Sequence, residues 1–195
     1  MESLVSRGLQ APLFEQVIKS LDPDRRCVVL DFGAARSGTV ALLSGFRCCL
    51  EIVGLAELLP QLHDIDEAAD RRSRLRSRLA DRESEPCNLV FCWNLLNYLQ
   101  PQDVSLVANL LASRLAPDAR MHALIEYSSP VMPASPGHWT PDGSARLFAD
   151  QPDIEQIPSP RYSPRTLERL MPQMQPERTI LLGNGLHEHL FRLRA

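Results

Sequence analysis

Apolar residues recur along the chain at two spacings, and the two spacings alternate. In "APLFEQVIKSLDP" Leu13, Phe14, Val17, Ile18 and Leu21 stand three and four apart, which predicts a helix with one apolar face, ended by Asp22-Pro23-Asp24. In "RCVVLDF" the positions from Cys27 to Leu30 are all apolar and run into the acid Asp31, the pattern of a central parallel strand buried on both faces. "SGTVALLSG" predicts a short helix closed by Gly45, and "FRCCLEIVGL" a second strand. From Ala56 to Arg82 the pattern turns helical and charged. "EPCNLVFCW" predicts a third strand. "PQDVSLVANLLASRLAPD" predicts an amphipathic helix with Val104, Val107, Leu110, Leu111 and Leu115 on one face, ended by Pro117-Asp118. "RMHALIEY" predicts a fourth strand. The proline-rich stretch from Ser128 to Pro164 keeps no period and has the length of a cover or binding segment. "SPRTLERLM" restarts a helix with Ser163 as N-cap and Pro164 in its first turn. Asn184-Gly185, between two apolar runs, signals a closing hairpin.

Strands alternating with helices predict an α/β architecture: a mostly parallel sheet, helices on both faces, and an antiparallel C-terminal hairpin. The 195 residues suit one domain over 1–195, with an N-terminal helix within 1–24 and the cover segment at 128–164.

Charge narrows the partners. The net charge of -3 gives no bulk attraction to nucleic acid, so a nucleic-acid partner is not expected. Lys19 is the one lysine; the basic side chains are almost all Arg, and one local cluster of them stands out, "DRRSRLRSRLADR". Acids flank that cluster, so it reads as a solvated helix face, and the Arg71–Arg82 helix is also the natural contact for a protein partner. The five cysteines form no CxxC pair and no zinc-ligand spacing, which fits a reducing cytoplasm and no metal. "MESLVSRGLQAPLFEQ" lacks the basic start and long apolar core of a secretory leader, and no apolar run reaches the length of a membrane span.

Candidate chemistry gathers at "VVLDFGAARSG". Asp31, Gly33, Ala34 and Gly38 stand where a buried strand gives way to a helix, and in such sheets ligands bind beyond the carboxyl ends of the strands. Glycine there permits a tight turn and close approach to the backbone, and the helix start offers free N–H groups. A phosphate loop would need lysine after the second glycine, where this chain has Thr39; a dinucleotide loop would need three glycines, and position 36 is Arg.

The remaining pattern resembles the class I S-adenosylmethionine-dependent methyltransferases. "VVLDFGAARSG" is similar to their first motif, "CNLVFCWNLLNYL" to the strand and turn under the methyl donor, "RMHALIEY" to the next strand and "TILLGNGLHEHLFRL" to the closing antiparallel pair. Within that superfamily "CWNLLNYL" and "HALIEYSSPVMPASPGHW" are similar to a group of uncharacterised bacterial proteins. The resemblance implies a Rossmann-like fold, S-adenosylmethionine as cofactor, and a small-molecule or protein substrate. It implies donor contacts from Asp31, Gly33, Ala34, Gly38 and Asn94. The family's ribose-binding acid would fall at Val53 or Gly54, so Glu51 is the nearest candidate. Asn97 would orient the substrate, Tyr98 would pack the donor, and Glu126 would serve as base.

Three departures stand against full function. The ribose acid is displaced, the third strand is replaced by the Arg-rich helical stretch, with Asp81 and Glu83 the acids left for the adenine side, and Arg36 enters the glycine loop. Arg36 would either clash with an adenosyl group or meet an anion in the same space. His138 and Trp139 fall in the cover. His187 and His189 share one strand face with no third ligand in view. Two readings follow: a methyltransferase, or a methyltransferase-like fold that has lost transfer and binds a protein.

Overall fold

The structure, a computed structural model, describes residues 8–63, 65–79, 85–150 and 155–194. Along the chain come α1 (Pro12–Lys19), β1 (Cys27–Asp31), α2 (Ser37–Leu43), β2 (Cys48–Ile52), α3 (Leu55–His63), α4 (Ala68–Leu79) and β3 (Cys87–Trp93). A 3-10 turn (Leu95–Tyr98), α5 (Pro101–Ala112) and β4 (Leu115–Glu126) follow. Four three-residue strands come next: β5 (Val131–Pro133), β6 (Trp139–Pro141), β7 (Leu147–Ala149) and β8 (Gln156–Pro158). The chain closes with α6 (Pro164–Leu170), β9 (Met174–Leu181) and β10 (Leu186–Leu193).

Six strands form one sheet in the order β2-β1-β3-β4-β10-β9. The first four run parallel and the last two pair antiparallel, as the alternating pattern predicts. Side chains alternate between two apolar layers. Val29, Phe91, Leu124 and Leu190 pack with Phe14 of α1 and Leu43 of α2 on one face. Val28, Leu30, Val90 and Phe191 pack with residues of α3 to α6 on the other. Among the described residues no strand lies between β2 and β3; α3 and α4 fill that interval, the replacement expected from the charged helical pattern.

Several boundaries differ from expectation. The helix predicted to end at Pro117-Asp118 ends at Ala112, because the chain from Leu115 already pairs with β3 at Cys87 and the Cys87 N–H donates to the Arg114 carbonyl (2.7 Å). Asp118, at φ 64, turns the strand within that pairing. The charged stretch after Ala56 is two helices, with Pro60 inside the first. The closing hairpin turns at Leu182–Gly185, where Gly185 at φ 89 donates its N–H to the Leu182 carbonyl (3.0 Å). Ser163 caps α6 by accepting the Thr166 N–H (3.1 Å), as predicted.

The proline-rich stretch builds two small ribbons, β5 with β8 and β6 with β7. Tyrosines on both sides anchor it to the main body, Tyr98 from the body and Tyr162 from the stretch itself. The Tyr98 hydroxyl lies 3.0 Å from the Pro133 carbonyl and 2.9 Å from that of Ser135, and the Tyr162 hydroxyl donates to Leu99 (2.8 Å). α1 is docked by one acid. Glu188 of β10, fully buried, accepts the N–H groups of Leu13 (3.0 Å) and Phe14 (2.8 Å) at the start of α1, and its Oε1 lies 2.9 Å from Nε2 of the buried His122. That carboxylate satisfies orphan donors at the positive end of the helix.

Candidate functional site

The order of strands reverses direction between β1 and its neighbours β2 and β3, and the carboxyl ends of these three strands define one rim. β1 ends at Asp31, and Phe32 and Gly33 follow it. Asp31 is almost fully buried, and its Oδ1 accepts the Gly33 N–H (2.8 Å) and the indole N–H of Trp93 (2.5 Å). Burial pushes the Asp31 carboxyl up to about 6, against the opposing pull of those two bonds.

Trp93 closes β3 in a conformation that bulky side chains rarely adopt, at φ 50, and the pairing of β3 with β4 shifts register between Phe91 and Trp93. Its indole is 2% exposed and packs against Phe14 and Phe91, with ring centroids 5.6 and 5.3 Å away. It also lies over Gly33. A Cβ at Gly33 would meet Cδ1 and Nε1 of Trp93 at 3.0 Å, so the space that the first glycine leaves open holds an indole of the same chain.

Gly38 has a different neighbour from the one expected. A Cβ there would come under 3.0 Å from the Pro141 carbonyl oxygen and the Thr140 methyl. The second glycine therefore lets the β6 strand of the cover lie against the first turn of α2. Arg36 pairs with Asp150 of the same segment (Nη1 to Oδ2, 3.1 Å), so the anion it meets is intramolecular. Ala34, partly buried, completes the bend.

Glu51 is not at the rim. It points to the α3–α6 face and pairs with the nearly buried Arg114 (2.6 Å), because in a parallel strand ending at Ile52 its side chain falls on that face below the edge. A carboxyl does stand at the end of β2: Glu57, exposed, in the first turn of α3. It would lie 3.5 to 3.9 Å from a Cβ on Gly54, which turns at φ 61. Sequence reasoning stopped at the strand end and missed it. The signal was a glycine after the strand followed three residues later by an acid. Asp81 and Glu83 lie outside the described residues.

At the end of β3, Asn94 has its side-chain oxygen buried with no hydrogen-bond partner among the described residues. Asn97 is structural rather than substrate-facing. Its Nδ2 donates to the carbonyls of Asn94 (2.8 Å) and Leu124 (3.0 Å), and its Oδ1 accepts the Glu126 N–H (2.9 Å). The Tyr98 hydroxyl holds the cover, and burial, reinforced by the Glu126 charge, raises its phenol well above the ordinary value.

Glu126 keeps its place at the end of β4, half-buried, with burial raising its carboxyl and the Ser129 backbone N–H partly offsetting the rise. Trp139 lies in β6 with a buried indole nitrogen that has no partner among the described residues. His187 and His189 do share a face, with rings 5.9 Å apart, but His187 stacks on Tyr127 (4.4 Å) and His189 on Phe191 (5.3 Å). Among the described residues no three His, Cys, Asp or Glu side chains gather as a metal site, and no helix is long and apolar enough to cross a membrane.

No family model matches the sequence, and no curated protein matches it. Solved structures do match its fold. An S-adenosylmethionine-dependent methyltransferase from Clostridium acetobutylicum superposes over 98% of this chain and 95% of its own, with a TM-score of 0.55 at 12% identity. This is the class I S-adenosylmethionine-dependent methyltransferase fold. A glycopeptide N-methyltransferase complexed with S-adenosylmethionine matches over 99% and 98% of the two chains (TM-score 0.52, 13% identity). A Burkholderia thailandensis 1,6-didemethyltoxoflavin-N1-methyltransferase, with 1,6-didemethyltoxoflavin and S-adenosylhomocysteine bound, matches over 94% of this chain and 77% of its own (TM-score 0.50, 15% identity).

Proposed function

We propose that this chain is an S-adenosylmethionine-dependent methyltransferase acting on a small organic acceptor. The observation that carries the reading is the rim itself: a bend at Asp31-Phe32-Gly33 where the strand order switches, with the carboxyls of Glu57 and Glu126 at the ends of β2 and β4 on either side of it. The folds matched include methyltransferases with S-adenosylmethionine or S-adenosylhomocysteine bound, one of them with 1,6-didemethyltoxoflavin bound as well.

The fit to the donor is uneven along the rim. Glu57 beside Gly54 supplies the acid that a ribose needs, and the unpartnered oxygen of Asn94 is an acceptor in search of a donor. The space over Gly33 is taken by Trp93. In this reading Glu57 holds the ribose hydroxyls, Asp31 and Asn94 face the amino-acid end, and bound S-adenosylmethionine supplies an electrophilic methyl group. Glu126 receives the acceptor's proton; its raised carboxyl is better matched to proton transfer near neutral pH than an ordinary one.

A second reading, a non-catalytic fold that binds a protein, is favoured by the indole over Gly33 and by α4, whose Arg72, Arg74, Arg76 and Arg78 are exposed. Arg71 does not belong to that surface, since it faces the buried Asp103 (3.6 Å), and Arg82 lies outside the described residues.

Calorimetric titration with S-adenosylhomocysteine decides between them. The donor reading expects saturable binding that weakens by about tenfold to a hundredfold in Glu57→Gln, the loss of a charge-assisted hydrogen bond to a ribose. No heat from the folded protein at millimolar ligand overturns it and leaves the binding module.

A further inference from the structure

We propose that Trp93 is an intramolecular occupant of the donor seat, an autoinhibitory contact that the donor must displace from Gly33 and Asp31. The inference rests on the donor-binding reading above and adds how that site is controlled. Three features meet at one residue. The indole covers the face of Gly33 that a Cβ would fill. Its N–H donates to the Asp31 oxygen that also holds the Gly33 N–H, so one carboxyl ties the plug to the loop. The backbone that aims it there is in the left-handed region, at the point where the ladder to β4 loses its register.

A bulky residue persists in that conformation only when its surroundings hold it, and here the Asp31 bond and the rings of Phe14 and Phe91 do so. Because the register of β3 against β4 already shifts between Phe91 and Trp93, turning the Trp93 backbone to an extended conformation need not unzip the interior of β3. That turn would carry the indole off Gly33 and free Asp31. A ligand that binds only the open form has its apparent affinity reduced by the fraction of molecules that are open.

The chain has two tryptophans, so Trp139→Phe makes Trp93 the sole indole. In that background, S-adenosylhomocysteine is titrated into the parent and into Trp93→Gly, which suits a positive φ and removes the ring. The expected result is binding tighter by about tenfold or more in Trp93→Gly, and a red shift of Trp93 emission when the parent binds, as a buried indole moves into water. Equal affinity in the two proteins, or binding by the parent with its emission unchanged, overturns the gate and leaves donor binding standing. Absence of binding in both, with both folded, overturns donor binding and the gate together. If Trp93→Gly does not fold, Trp93→Phe takes its place: it keeps a ring between Phe14 and Phe91 and lacks the N–H on Asp31. The same gain in affinity, smaller in size, is then expected, and its absence overturns the gate.

Discussion

At the scale of single residues, the two glycines of the loop do different work from the one their spacing suggests. Gly38 is needed because the chain's own cover crosses it. Gly38→Ala would place a methyl group against the Pro141 carbonyl and the Thr140 side chain, a backbone contact that cannot swing aside. The expected cost is about 1 to 3 kcal/mol, read from urea unfolding. Gly45→Ala is the control, since nothing lies within 4 Å of its Cβ position, and its stability should stay near the parent's. Equal stability of the two variants would remove the argument that the ribbon is seated on α2. The presence of an acid and two glycines in this bend was legible in the sequence. Their occupants were not, because Trp93 and Pro141 arrive from 60 and more positions along the chain.

At the scale of elements, periodicity carried the helices and strands, and side chains from distant strands set how they dock. α1 shows this. Its apolar face was readable at Leu13, Phe14, Val17 and Ile18. Its anchor was not, because Glu188 belongs to a strand whose pattern reads simply as a hairpin arm. Glu188→Ala leaves two helix N–H groups and His122 without their buried partner, and the expected loss is about 3 to 5 kcal/mol. Glu188→Gln keeps an acceptor and should recover part of it. Hydrogen exchange should show α1 amides losing protection first in the alanine variant; protection equal to the parent's would refute the docking role. The cover segment follows the same logic. Without a period of its own, its order comes from Tyr98 and Tyr162, whose roles depend on which carbonyls the fold brings to their hydroxyls.

At the scale of the whole molecule, Asp31 couples the rim to global stability. Its carboxyl is raised by burial from the ordinary 3.8 to about 6, so between those values the folded protein binds a proton that the unfolded chain has released. Stability contributed by this group is fully present below about 4 and is lost as pH rises through about 6, on the order of 2 to 3 kcal/mol in all. Asp31→Asn keeps an acceptor for Trp93 and Gly33 but does not ionise. The difference in unfolding free energy between the two proteins, measured from pH 4 to pH 7, should therefore move in favour of the asparagine variant as pH rises. A difference that stays flat would show that Asp31 ionises as easily in the folded protein as in the unfolded one. The alternation of helices and strands in the main sheet, the closing hairpin and the location of the rim were determined by the sequence alone, because hydrophobic period and turn chemistry are local and the chain carries them in plain order. The tertiary structure alone decided what fills the rim: that Glu51 turns away to Arg114, and that an indole rests on Gly33. Those outcomes depend on which face a side chain takes and on what a distant strand brings beside it, and neither is encoded in the spacing of neighbours along the chain.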